Sequence, residues 1–254
     1  MDIPRNAFKA ALAARQRQIG LWCTLADPSV AELCATAGFD WLLFDTEHSP
    51  IDALTALPLL QAVAPYPATP VVRPGWNDAV EIKKMLDLGA QTFLIPFVQN
   101  AQEAAAAVAA VRYPPKGVRG VSGTSRATRW GAIEGYAHKA EAEICLLVQV
   151  ETAEALDNIE AIAAVDGVDG IFIGPADLGA SVGHLGAPGA PEVKAMVLDA
   201  IARIRAAGSA PGVLTLDQGF AAEALEAGAL FVAVDVDAAV LARGVRARAA
   251  GWKA

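Results

Sequence analysis

Cysteine, histidine, methionine and tyrosine each occur only three times in this chain of 254 residues. The cysteines (Cys23, Cys34, Cys145) form no Cys-x-x-Cys pair and cannot all be bridged. Each lies in an apolar segment, so the expectation is buried free thiols in a reducing cytoplasm. Positive charge is also short: 20 Lys+Arg stand against 28 Asp+Glu, a net charge of −8 with a pI near 4.9. That balance argues against nucleic acid and against anionic membrane surfaces as partners. No apolar run reaches the roughly 18 residues of a membrane span. The polar, Ala-rich stretch Met1–Gln18 and the short Ile19–Leu25 offer no secretory core.

Chemical signatures are missing as well. Neither Gly-x-Gly-x-x-Gly nor a phosphate loop ending in Gly-Lys-Ser/Thr occurs, so a nucleotide is not expected. No Gly-x-Ser-x-Gly and no Cys–His dyad appears. The lysines (Lys9, Lys83, Lys84, Lys116, Lys139, Lys194, Lys253) all fall outside the expected strands, where a desolvated imine-forming amine would sit. A Schiff-base lysine and PLP are therefore not expected.

What is present is a βα alternation from one end to the other. Apolar runs are read as strands at Ile19–Thr24, Trp41–Asp45, Pro70–Arg73, Thr92–Pro96, Ile144–Val150, Gly170–Gly174, Pro211–Thr215 and Phe231–Asp235. They are continuously apolar, as strands covered on both faces are. Helical patterns lie between them at Ser29–Ala37 (Val30, Leu33 and Cys34 on one face), Asp78–Leu88 (Val80, Ile82, Met85, Leu86), Ala101–Val111, Pro191–Ala207 and Gln218–Ala227. Gly38, Gly89, Gly167, Gly208 and Gly228 follow helical patterns, where a left-handed cap is wanted. Eight βα units in about 250 residues point to a TIM (β/α)8 barrel in one domain, residues 1–254. The irregular segment 112–138, rich in Gly, Arg and aromatics, reads as an excursion on the barrel top, and His138 and His184 as loop residues. A last helix, Ala238–Ala250, precedes Trp252, a residue suited to docking.

Barrel chemistry sits beyond the carboxyl ends of the strands, and polar residues gather there: Asp45–Ser49, Arg73, Gln149, Glu151, Gly174–Asp177, Thr215–Asp217 and Asp235–Asp237. Glu151 and Asp177 on neighbouring staves would repel unless protonated or bridged by Mg²⁺, Mn²⁺ or Co²⁺. Equally, each could cap the helix after it. His48, between carboxylates, is either a general acid or base or a loop histidine; a His/Asp/Glu metal trio that includes it is a weaker possibility. Arg73 either meets a carboxylate or a developing enolate oxygen, or pairs with a rim acid such as Asp45. Gly174-Pro175-Ala176-Asp177 offers free backbone N–H groups to a small anion.

The phrases Gly38-Phe39-Asp40-Trp41, Asp45-Thr46-Glu47-His48-Ser49-Pro50, Val72-Arg73-Pro74, Arg112-Tyr113-Pro114-Pro115-Lys116-Gly117-Val118-Arg119-Gly120, Gln149-Val150-Glu151-Thr152 and Gly170–Leu178 together resemble the HpcH/HpaI aldolase family across the whole chain. That resemblance implies a TIM-barrel lyase that depends on a divalent metal and cleaves or forms 4-hydroxy-2-oxo acids, giving pyruvate and an aldehyde. It implies Glu151 and Asp177 as metal ligands with Gln149 beside them, and Arg73 on the keto oxygen. It implies that the backbone of Ala176 and Asp177 holds the substrate carboxylate, with Gly174, Pro175 and Leu216 also lining the substrate site. His48 would pair with Asp87 of a neighbouring subunit, supported by Asp45 and Glu47, in a cytoplasmic homo-hexamer whose last helix is exchanged between subunits. Departures at Ser122-Gly123-Thr124 and Asp235 touch the aldehyde side. A CoA-ester lyase of the citrate lyase β-subunit type, an oxaloacetate decarboxylase and a non-catalytic binding barrel stay open as alternatives.

Overall fold

The computed structural model describes residues 1–253. Eight parallel strands close into a barrel in chain order: β1 (Gln18–Cys23), β2 (Trp41–Asp45), β3 (Thr69–Arg73), β4 (Thr92–Ile95), β5 (Cys145–Val150), β6 (Gly170–Ile173), β7 (Ala210–Leu214) and β8 (Phe231–Val236). Around it run α1 (Ala7–Ala13), α2 (Pro28–Ala35), α3 (Ala53–Val63), α4 (Ala79–Asp87), α5 (Ala101–Val111), α6 (Tyr136–Glu143), α7 (Ala153–Asp157), α8 (Ile159–Ala163), α9 (Pro175–Ser181), α10 (Pro191–Ala206), α11 (Gln218–Ala227) and α12 (Asp237–Lys253). Among the described residues no helix is long and apolar enough to cross a membrane.

Strand parity builds two cores. Leu42, Phe44, Val72, Leu146, Val148, Ile171 and Ile173 face outward and pack under the helices. Trp22, Trp41, Leu43, Val71, Leu147, Phe172 and Phe231 fill the lumen. The same alternation sends Asp45, Arg73 and Gln149 inward at the upper ends of their strands. Helix α1 plugs the lower end: the Phe8 ring meets Trp41 and Phe231, each at 5.9 Å.

The lumen alternates large and small. A Cβ on Gly20 would lie 2.2 Å from the Trp41 ring, and one on Gly212 would lie 2.3 Å from Phe231. Overpacking a filled core costs about 1–3 kcal/mol. We therefore expect Gly212→Ala to lower stability by at least that much in a urea melt, since the obstacle is a ring locked by its own neighbours.

Many rim acids turn out to be helix caps. Asp27, Asp52, Asp78 and Asp217 each accept backbone N–H groups at the start of the following helix. Asp237 is buried and accepts the N–H groups of Thr24, Leu25 and Ala238, tying β1 to β8. The expected left-handed caps are present, with φ between +88° and +111° at Gly38, Gly89, Gly167, Gly208 and Gly228.

Three readings need correction. Leu33 and Val80 point outward, 68% and 54% exposed; Ala31, Cys34 and Ala35, and Ile82, Met85 and Leu86, make the buried faces of α2 and α4. The segment 112–138 lies at the lower end of the barrel: Ala127 N–H donates to Asp87 O and Arg126 to Leu88 O, at the last turn of α4. It follows α5, and in a βα unit a helix ends where the strands begin. His138 lies on α6, not in a loop.

Candidate active site

The mouth is built on β1, β2, β3, β5 and β6. Asp45 and Arg73 are register partners on β2 and β3, 1% and 5% exposed. Arg73 Nε and Nη2 donate to the two Asp45 oxygens at 2.9 and 2.6 Å. Its Nη1 stands 2.7 Å from Glu47 Oε2. The guanidinium carbon lies 4.8 Å from the Trp22 ring centroid, and Trp22 Nε1 donates to Asp45 Oδ2 at 3.1 Å. Burial pushes the Asp45 carboxyl up, but the hydrogen bonds and charge of Arg73, with Trp22 and the Glu47 N–H, outweigh it and leave it below the usual range. Glu47 is raised, by burial first, against the pull of Arg73 and His48. Of the two readings of Arg73, the ion pair with the rim acid Asp45 is present, and Glu47 shares it.

Glu151 follows β5 and is 2% exposed. Its Oε1 accepts the Phe97 N–H at 2.9 Å and its Oε2 accepts Gln149 Nε2 at 2.5 Å. Burial, then the negative charge of Asp177, push Glu151 up to about 7. Gly174 makes room for this carboxylate, because a Cβ there would lie 2.4 Å from Oε2. Capping does not explain either acid. Thr152 caps α7, and Gly174 precedes α9 with no side-chain cap, leaving Asp177 exposed in its first turn. Gln149 Oε1 is buried without a hydrogen-bond partner.

His48 lies at the edge. Its side chain is 67% exposed, with Nε2 3.9 Å from Glu47 Oε1, and its N–H donates to Asp45 Oδ1 at 3.3 Å. Leu216 sits half-exposed in the β7–α11 loop. Asp87 ends α4 at the far end of the barrel, near Arg119 and Lys83, so one chain does not bring it to His48. Asp235 pairs with Arg243 of α12. Among the described residues no group of three or more His, Cys, Asp or Glu side chains is arranged to hold a metal ion.

Two contributors escaped the sequence reading. Phe97 adopts φ +55°, rare for a residue with a side chain, and so aims its N–H at Glu151. Its ring stacks on Trp76, centroids 5.6 Å apart. A backbone donor leaves no trace in residue type. Trp22 reads as any strand residue until parity shows it pointing at Arg73.

The HpcH/HpaI aldolase/citrate lyase model matches residues 18–243. A protein of Sagittula stellata named hydroxypyruvate/pyruvate aldolase is 62% identical over 252 residues, covering 99% of this chain and all of its own. One from Salmonella heidelberg, named 4-hydroxy-2-oxo-heptane-1,7-dioate aldolase, is 58% identical over 98% of this chain and 95% of its own; this is the subgroup whose motifs the sequence resembles. A crystal structure of an HpcH/HpaI aldolase/citrate lyase family protein from Burkholderia cenocepacia superposes with a TM-score of 0.94 at 38% identity, over 98% of this chain and 100% of the other. On this evidence the chain is a carbon–carbon lyase and belongs to the HpcH/HpaI aldolase/citrate lyase family.

Proposed function

We propose that the chain is a divalent-metal-dependent aldolase that cleaves and forms 4-hydroxy-2-oxo acids, yielding pyruvate and an aldehyde. The Glu151 cradle carries this reading: a buried carboxylate pushed up to about 7 beside a second acid, with an orphaned amide oxygen next to it. Burying charge is unfavourable unless a partner offsets it. An oxygen-only donor set suits Mg²⁺, Mn²⁺ or Co²⁺, and two carboxylates suffice where water and substrate oxygens complete the shell. Glu151 and Asp177 would hold the ion, with Gln149 beside them. When bound, the ion supplies a Lewis acid that polarises a keto oxygen.

The protein's own groups do the rest. Arg73 presents charge to the keto oxygen, and Asp45 and Glu47 keep its guanidinium from reorienting as negative charge grows there. The N–H groups of Ala176 and Asp177, in the first turn after Gly174 and Pro175, receive the substrate carboxylate. His48 Nε2 takes the proton of the C4 hydroxyl, and the C3–C4 bond breaks to release the aldehyde. The electron pair passes to C3 and is shared with the oxygen facing Arg73. A proton returned to C3 completes pyruvate, and addition runs these steps in reverse. In a hexamer, Asp87 of a second copy would orient His48. Helix α12 fits exchange between copies: it buries only Asp237 and exposes Val240, Leu241, Val245 and Trp252 by 47–83%.

The loops after the strands carry no Lys or Arg besides Arg73 (24–27, 46–52, 74–78, 96–100, 151–152, 215–217). This favours small keto acids over a CoA ester, whose phosphates would need a basic patch. The acidic chain and its buried free cysteines fit a cytoplasmic enzyme with small-molecule partners. Pyruvate release from a panel of 4-hydroxy-2-oxo acids, coupled to lactate dehydrogenase, tests the proposal. Turnover with Mn²⁺ and none in excess chelator is expected; full turnover in chelator overturns it. Gly174→Ala should weaken metal affinity about 10- to 100-fold by displacing Glu151, read by titration with Mn²⁺.

A further inference from the structure

The lower end of the barrel, away from the Glu151 cradle, carries a basic cavity inside an acidic protein. Its volume is about 220 Å³. Arg5, Arg126 and Arg129 are its charged lining, Leu60, Tyr66 and Pro70 give it apolar walls, and no Asp or Glu lines it. No carboxylate among the described residues lies within ion-pairing distance of these arginines. Acids outnumber bases in this chain by 28 to 20, so three neighbouring unpaired arginines call for a cause.

Local structure holds Arg126 and Arg129 in place. Arg126 Nη1 donates to Leu88 O at 2.5 Å, and Gly89 leaves room for it, since a Cβ there would lie 3.0 Å from Nη1. Burial, then the charge of Arg129, push the Arg126 guanidinium below its usual range. Arg129 and Trp130 take φ +51° and +54°. Thr128 Oγ1 accepts the Gly131 N–H at 3.1 Å and closes that turn. Arg129 Nη1 in turn donates to Arg126 O at 3.3 Å. Strained backbone thus keeps two like charges on one turn at a cavity wall, an arrangement that an anion would relieve.

We infer that this cavity binds a small dianion, an organic dicarboxylate or a phosphate, separately from the aldol site. Planar guanidinium forks pair with both chemistries through two parallel N–H···O bonds. The apolar walls suit a compact organic body rather than a polymer.

Calorimetric titration of the purified, assembled enzyme with malonate or inorganic phosphate, against sodium chloride at matched ionic strength, tests the site. Saturable binding of at least one dianion is expected, with Kd raised tenfold or more in Arg129→Gln. Arg5→Gln, on the exposed N-terminal arm, should weaken binding in the same direction and leaves the turn intact. Tighter malonate binding identifies a carboxylate ligand; tighter phosphate binding identifies a phosphate. Saturating pyruvate with Mn²⁺ should leave Kd unchanged. No saturable binding, an unaltered Kd in both variants, or competition by pyruvate overturns the inference.

Discussion

Arg73→Ala is expected to lower kcat by about 100- to 1,000-fold, the usual loss when one fixed donor to a developing oxyanion is removed. The same change should cost about 3–5 kcal/mol of stability, because it leaves Asp45 buried without its partner. The pH dependence distinguishes the two effects. In the native protein Asp45 is held below its usual range. Its contribution is therefore present above the ordinary carboxylate pKa and is lost as pH falls through the depressed folded value. Without Arg73, burial dominates, the folded pKa rises above the unfolded one, and the variant gains stability on acidification. Arg73→Lys keeps a charge but loses the two-pronged contact with Asp45, so it should recover only part of either loss. Steady-state kinetics with thermal melts from pH 4 to 8 read all of this; an unchanged kcat in the alanine variant would contradict the assigned role.

Glu151→Gln should separate function from stability. If Glu151 holds the proposed metal, activity should fall by about 1,000-fold or more, since several kcal/mol of charge stabilisation would go with it. The chelated protein should nevertheless become more stable at pH 8, by up to roughly 3 kcal/mol. The sign follows from Glu151 standing at about 7 when folded, above its usual 4.5. The folded state then holds the proton more tightly, so the native protein loses stability as pH rises from the unfolded value through about 7 and is level beyond it. The amide has no such slope. Adding Mn²⁺ should remove the slope from the native protein and leave the variant unaffected. Paired melts with and without Mn²⁺ check this, and a Glu151→Gln melt below the native one at pH 8 would count against the buried-charge argument.

The barrel itself was legible because parallel strands covered on both faces need unbroken apolar runs, and runs such as Trp41–Asp45 and Ile144–Val150 are short for a helix and recur between helical patterns. Helices were less so. α3 carries Pro58 in its interior, and α7 to α9 are single turns or little more that leave no period to find. α1 is too short and Ala-rich to announce that Phe8 seals the lumen. At the mouth, Arg73 and Glu151 stood out because charge at the end of a buried strand has few other uses. Rim position alone did not separate capping acids from the rest: Asp217 and Asp237 look the same as Asp177 until hydrogen bonds are assigned. The segment 112–138 was misplaced because composition tells of irregular backbone, not of which end of the barrel it covers.

Exchange of the pyruvate methyl protons in deuterated water, followed by NMR, tests the central claim without any aldehyde. If Glu151 and Asp177 hold a dication that makes the three-carbon carbanion accessible, exchange should proceed with Mg²⁺ or another diamagnetic divalent ion. It should stop in chelator and fail in Glu151→Gln. Exchange that persists at full rate in chelator, or retro-aldol turnover without any methyl exchange, would contradict it.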